Sequence, residues 1–199
     1  MRCSELLRFL AGFYRCCGPV GGADATWQAG RMRTAGGTGQ AGPGTVVFDV
    51  DGVVADVRHR LHHLASRSRD WAAFFAEAGA DPPLAEGVAL ARSLALDHDV
   101  VWLTGRPERL RTVTRRWLSN HGCPAGRLLM RPDGDHRPAR RVKREALRRL
   151  GGSNRIVLVV DDDPDVVEMV VQEGLPARLA DWVPRTALLH VVQERDGRT

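Results

Sequence analysis

The sequence predicts a doubly wound α/β domain, a parallel sheet with helices packed against both faces. Three observations carry this expectation. Short apolar runs of strand length recur at Thr45–Phe48, Val100–Leu103, Arg127–Arg131 and Ile156–Val160. Stretches whose apolar residues follow a helical period lie between them. The two kinds of segment alternate along the chain with no internal repeat, the pattern of parallel strands joined by crossover helices.

The first strand, Thr45-Val46-Val47-Phe48, breaks off onto Asp49, Val50, Asp51 and Gly52. Side chains two apart in an extended chain point the same way, and where the strand ends Asp49 and Asp51 converge on one point. Two convergent carboxylates attract a divalent cation, and Gly52 lets the backbone turn away without a Cβ clash. An ordinary strand-to-turn exit uses the same residue types, so the other elements must decide. Val57–Arg67 is expected to be helical or irregular, and Asp70 caps a short helix opening at Trp71. Pro82-Pro83 breaks it, and Val88, Ala91, Leu94 and Ala95 mark the buried face of the next helix. Strand Val100–Leu103 ends on Thr104-Gly105-Arg106, after which Pro107 is expected at the first helical position of a segment reaching His121, with Leu110, Val113, Trp117 and Leu118 inward. Arg127–Arg131 is the third strand, followed by the polar loop Pro132–Pro138 and a basic helix Ala139–Leu150. Ile156–Val160 ends on Asp161-Asp162-Asp163, and Pro164 opens a helix faced by Val166, Val167, Val170 and Val171 until Gly174 stops it. A short fifth strand is expected at Ala177–Ala180.

A chain of 199 residues with 43% hydrophobic content suits one domain with a substantial core: a flexible leader over 1–44, the domain over 45–185 and a tail over 186–199. No apolar run reaches the roughly 20 residues of a membrane span. The net charge of +5 is concentrated in the first 44 residues, which hold five arginines and two acidic residues. The rest is nearly balanced, so charge alone argues little for nucleic acid, and a local basic patch stays open. Cys3, Cys16, Cys17 and Cys123 have neither metal-site spacing nor a disulfide framework, which suits a reducing cytoplasmic setting. Leu6–Tyr14 only faintly resembles a signal-peptide core, being short and interrupted by Arg8. Met32 is an alternative start. The glycine-rich tract 36–44 precedes a strand and lacks a Gly-Lys-Ser/Thr ending, so it reads as linker. Of 29 basic residues only one, Lys143, is a lysine. A compact ammonium in a chain this biased to arginine reads either as a place where a planar guanidinium does not fit or as a chance survivor, and its surroundings must decide.

In sheets of this kind ligands bind beyond the carboxyl ends of the strands. Asp49 and Asp51, Thr104 and Arg106, and Asp161 and Asp162 all fall there, with Lys143 at the start of a helix that approaches the same edge. Carboxylates holding Mg²⁺, with a hydroxyl and cations aimed at one point, suit a phosphoryl group, whose charge must be neutralised before an anion attacks it. One aspartate would form an aspartyl-phosphate, and a second would move the protons.

These motifs, DxDG-V-V at 49–54, Leu-Thr-Gly-Arg at 103–106, Lys143 and Asp161-Asp162, resemble in that order the four motifs of haloacid-dehalogenase-like phosphatases. The likeness covers roughly residues 45–183. It implies Asp49 as nucleophile and Asp51 as general acid/base with its backbone carbonyl on Mg²⁺. It also puts Thr104 and Lys143 on the phosphate and Asp161 and Asp162 around the metal. Within that superfamily the chain resembles the 3′-phosphatase domain of phage-type polynucleotide kinases through Thr104-Gly105-Arg106, Thr114-Arg115-Arg116-Trp117, Gly134-Asp135-His136-Arg137, Val142-Lys143-Arg144-Glu145 and Val166-Val167-Glu168-Met169. Arg60, eleven residues after Asp49, matches an important arginine there and Arg106 another, so Arg60, Gly105 and Arg106 are implied on the substrate. Two departures stand out: Ala139 where the family has an acidic residue four before the lysine, and Asp163 where it has an arginine. A kinase phosphate loop needs a lysine, and the only one is taken, so neither 5′-kinase activity nor a nucleotide cofactor is expected.

About 50 residues separate Asp51 from Thr104, and a returning helix uses part of them. Little or no cap is expected, only a flap and a helical lid, leaving an open site that admits a polynucleotide end. His59, His62 and His63 read as a solvated or packed histidine face, and Trp71, Phe74 and Phe75 as the anchor of the lid, over the rival readings of a metal site and a base-stacking platform. Arg115, Arg116, Arg140, Arg141, Arg144, Arg148 and Arg149 read equally as phosphate contacts and as solvated faces. The expectation is a Mg²⁺-dependent phosphomonoesterase, with 3′-phosphate ends of nucleic acid as favoured substrate. Phosphorylated nucleotides or small metabolites are the alternative, and a non-catalytic binding module on the same fold is a further one.

Overall fold

Residues Thr45–Phe48 form β1, and all four are buried. A strand covered on both faces has no polar side, which is why this run shows no alternation. With β2 (Asp99–Pro107), β3 (Arg127–Arg131), β4 (Ile156–Asp161) and β5 (Ala177–Leu179) it builds a five-stranded sheet ordered β3-β2-β1-β4-β5, parallel at every pair. The structure, a computed structural model, describes residues 43–65 and 68–184. Residues 1–42 of the expected leader, with Met32 and most of the glycine-rich tract, and the expected tail lie outside the described residues.

Side-chain alternation sorts the strand residues between two helical layers. Val46, Phe48, Val100 and Trp102 face α2 (Ala85–Leu94) and α3 (Arg111–Asn120), where Val88, Ala91, Trp117 and Leu118 meet them. Val47, Val101 and Leu103 face α4 (Ala139–Arg149) and α5 (Pro164–Gln172) through Ala146, Leu147, Val166 and Val170. The chain moves from β1 outward to β2 and β3, then returns to the other side of β1 for β4 and β5. That reversal opens a crevice at the carboxyl end of β1, where Asp49 and Asp51 follow.

Three local expectations are revised. Pro107 does not start a helix: β2 runs through it, with ψ of 151°, and a 3-10 turn, Glu108–Leu110, precedes α3. A residue before proline is driven extended, and Arg106 is that residue. On α3 the third inward residue is Thr114, whose hydroxyl lies 3.5 Å from Arg106 Nη1, while Val113 is 40% exposed. On α5 it is Met169 that is buried and Val171 that faces out.

The segment between β1 and α2 is the lid. It comprises a 3-10 helix (Arg58–Leu64), α1 (Trp71–Ala76) and a 3-10 turn (Glu77–Ala80). Asp70 caps α1 as expected, accepting from the Ala73 N–H at 2.9 Å. Trp71, Phe74 and Phe75 stack on one another and on Val57, Leu61 and Leu64, so they build a small core of the lid's own, with Leu110 as its apolar neighbour from the main body. There is no separate cap domain among the described residues.

Gly87 is where α2 meets the turn after β1. A Cβ there would stand 1.8 Å from the Val53 carbonyl oxygen, which also accepts from Trp182 Nε1 at 3.1 Å. Gly87→Ala should therefore destabilise the domain by about 1–3 kcal/mol, the usual cost of overpacking. Urea unfolding checks this through a lower midpoint at an unchanged slope.

Candidate active site

β1 and β4 are neighbours in the sheet, so their carboxyl ends set Asp49 beside Asp161. Both are buried. The packing of α4 brings Lys143 between them, its Nζ donating to Asp49 Oδ2 at 2.7 Å and Asp161 Oδ2 at 2.6 Å. The other Asp49 oxygen accepts the N–H of Val50 at 2.7 Å. Burial pushes the Asp49 carboxyl up, Lys143 pulls it down and Asp161 pushes it up again, leaving it at about 7. Burial alone would lower the Lys143 ammonium, but Asp161 and Asp49 outweigh it and hold the charge.

Oxygens of Asp49, Asp161 and Asp162 converge within 4.8 Å of one another. A set of hard carboxylate oxygens suits a hard divalent cation such as Mg²⁺. When all three carboxylates are ionised, the one ammonium facing them leaves two negative charges to balance. The space is kept open by Gly52, at φ +76°, where a Cβ would lie 2.3 Å from Asp162 Oδ2. Among the described residues a second convergent group, His62, His63 and Glu77, sits on the lid.

Asp51 is placed differently. Its Oδ1 accepts from Arg106 Nε at 2.8 Å and Nη2 at 2.5 Å, and from Arg60 Nη2 at 3.2 Å. Burial raises this carboxyl, but Arg106 and then Arg60 outweigh it and hold it below the usual carboxylate range. The resemblance implied Asp51 at the metal through its backbone carbonyl; its carboxylate is turned to the arginines. Arg60 and Arg106, implied on the substrate, are both fully buried. The geometry puts them behind Asp51.

The residue that completes this arrangement, Asp81, went unnoticed in the sequence. It is buried at the foot of the lid and takes Arg60 Nε on Oδ1 (2.7 Å), with Arg60 Nη2 (2.8 Å) and Arg106 Nη2 (2.6 Å) on Oδ2. His59 Nε2 lies 2.8 Å from the same Oδ1, and Trp117 Nε1 donates to the Asp81 carbonyl at 2.7 Å. The one hint was arithmetic: two site arginines outnumber Asp51, and a buried charge needs a partner.

Thr104 is buried near the end of β2, its hydroxyl accepting from the Arg106 N–H at 3.2 Å and so free to rotate its own proton outward. The Gly105 carbonyl accepts from Arg131 Nε at 3.2 Å, and Arg131 Nη1 also holds the Arg137 carbonyl at 2.7 Å, stapling the loop before α4. Ala139, where an acidic residue was expected, is buried and leaves Lys143 to Asp49 and Asp161. Asp163, in place of an arginine, caps α5 by accepting the Asp165 N–H at 3.0 Å.

A parallel sheet whose central strand ends in DxDG, backed by a threonine, a lysine and an aspartate pair, defines a phosphatase of haloacid-dehalogenase-like fold. The chain belongs to the family described as the polynucleotide kinase PNKP phosphatase domain, whose model matches residues 43–178. No curated protein matches it. Among solved structures, a chain of the Pnkp1/Rnl/Hen1 complex is similar at a TM-score of 0.58 and 22% identity, over 73% of this chain and 48% of that one. A hydrolase of the haloacid dehalogenase-like family, SP0104 from Streptococcus pneumoniae, is similar at 0.52 and 11% identity, over 77% of this chain and 92% of its own. Both likenesses are of fold. The chain spans about half the length of its counterpart in the Pnkp1 complex.

Asp81→Asn removes one partner from a buried charge network, which typically costs about 3–5 kcal/mol. The variant should unfold at a lower temperature. At temperatures where circular dichroism shows it folded, its kcat on an aryl phosphate should fall at least about tenfold, as Arg60 and Arg106 lose their hold on Asp51.

Proposed function

We propose that this chain is a Mg²⁺-dependent phosphomonoesterase that works through an aspartyl-phosphate on Asp49, with 3′-phosphate ends of nucleic acid as its substrate. The observation that carries it is the placement of Asp49, a carboxylate at the head of a buried strand whose neighbours supply one ammonium and two further carboxylates. Asp49, Asp161 and Asp162 would hold the cation, which when bound offsets the charge of the incoming phosphoryl group. Membership in a polynucleotide kinase phosphatase family supports the choice of substrate. So does the likeness to a chain in a complex described as an RNA repair complex.

A carboxylate oxygen of Asp49 forms a bond to phosphorus as the bond to the leaving oxygen breaks. Lys143 and the Thr104 hydroxyl hold the equatorial oxygens, where charge is spread in the transition state. Water then attacks the phosphorus, the Asp49–phosphorus bond breaks, and Asp51 takes the proton of the water. The two arginines keep Asp51 ionised, which suits it to this second step. To protonate a sugar oxygen in the first step it must carry a proton against them. That proton comes from solvent before the first step, and the one taken from water in the second step returns to solvent.

An aryl phosphate, whose leaving group departs without a proton, separates the two roles. Asp49→Asn should lose turnover on the order of 10⁴-fold and give no burst. Asp51→Asn should release one equivalent of phenolate per enzyme and then stall, as seen by stopped-flow absorbance. Undiminished steady turnover by the first variant would sink the mechanism.

Stripping divalent ions with a chelator should abolish turnover, and added Mg²⁺ should restore it. A 3′-phosphorylated oligonucleotide should be cleaved with a higher kcat/KM than free mononucleotides. The reverse order would point to nucleotides or small metabolites as substrate.

A further inference from the structure

A cavity of about 350 Å³ lies between β3 and α4, within the range of small-molecule sites. It begins at the reactive end, where Thr104, Gly105 and Lys143 line it, and continues to Arg127 and Arg149. Its position follows from the topology. β3 is the last strand on its side of the sheet, and α4 packs on β2 and α5, so the β3 residue on that face, Leu129, is only partly covered.

The groove's charge is unlike that of the rest of the domain. Arg111, Arg127, Arg131, Lys143 and Arg149 line it and no acidic residue does, although basic and acidic residues nearly balance beyond residue 44. Several of these cations have local work: Lys143 holds Asp49 and Asp161, Arg131 holds backbone carbonyls and Arg111 pairs with Glu108. On α4 itself, Arg144 and Arg148 pair with Glu173. Arg127 and Arg149 are exposed at the far end. In register Arg127 stands level with Val101, three residues short of Thr104, or about 10 Å along the strand. Arg149 lies six residues beyond Lys143, about 9 Å along the helix. Between the two ends the floor is apolar, with Leu129, Val142, Ala146 and Leu150.

We propose that this groove seats the nucleotide that precedes the terminal phosphate of a single-stranded polynucleotide. Its sugar and base would lie on the apolar floor, and its upstream phosphodiester would meet Arg127 and Arg149. The inference rests on the reading of the enzyme as a 3′-end phosphatase and adds where the strand runs. Charge complementarity and continuity with the catalytic end favour this occupant. No aromatic residue lines the groove, so binding gains little from stacking and depends on phosphate contacts.

The test measures kcat/KM for a 3′-phosphorylated oligonucleotide and for an aryl phosphate with the wild type, Arg127→Glu, Arg149→Glu and Arg92→Glu. Arg92 is exposed on α2, on the opposite face of the sheet, and matches the change in charge. The expected result is a fall of about tenfold in the oligonucleotide-to-aryl ratio for each groove variant, the size of one lost charge-assisted contact, carried by KM. The slope of log(kcat/KM) against log salt should become shallower by about 0.7 for each. A fall no larger than that of Arg92→Glu overturns the groove while leaving the 3′-end activity standing. A wild type that does not prefer the oligonucleotide overturns the substrate reading, and the groove with it.

Discussion

Two aspartates and two arginines, Asp51, Arg60, Asp81 and Arg106, form a closed ring of charge with almost no access to water. Asp51 comes from the head of β1, Arg106 from β2, and Arg60 and Asp81 from the two ends of the lid. The lid's aromatic residues form its own small core, and this ring with the Trp117 bond to the Asp81 carbonyl fastens the lid polar group to polar group. Buried ion pairs gain little net stability against an apolar core, but they tolerate only one arrangement of partners. Here that arrangement orients Asp51 and fixes the lid in the same act. Phe74 closes the ring from below, its face 4.1 Å from the Arg60 guanidinium.

The catalytic cluster and the ring are built on opposite electrostatic plans. Around Asp51 the charges cancel, which settles its ionisation. Around Asp49, Asp161 and Asp162 they do not, and the excess is negative. An acidic residue before Lys143 would deepen that excess; Ala139 does not. Asp163 adds a carboxylate, but one oxygen of it is committed to the first turn of α5. Ala139 thus leaves Lys143 to the cluster, whereas Asp163 sets one more buried carboxylate beside Asp161.

Much of this was legible in the sequence because it depends on local pattern. The buried strands showed as unbroken apolar runs, β3 with the bounds expected, and Asp70 announced α1 before any contact was known. The order of motifs brought Asp49, Lys143 and Asp161 together correctly, since parallel topology forces strand ends to one edge. What escaped depends on tertiary placement. Strand order has no local signature. Asp81 looks like any aspartate before two prolines. Pro107 carries a helix-start signal that strand pairing with Arg131 overrides. Arg60 and Arg106 were found as residues but not as buried ones, because a guanidinium on the substrate and one behind a carboxylate look alike in a string of letters.

Lys143 has a further consequence. It bears the only side-chain amine in this sequence, and that amine is buried between two carboxylates that hold it protonated. Electrophiles that modify neutral lysine amines have no ε-amino target on the surface of the folded domain. Acylation of a lysine would therefore report one event, the loosening of α4 from the ends of β1 and β4. The composition that singles out the residue also makes it a native probe of whether the active site is closed.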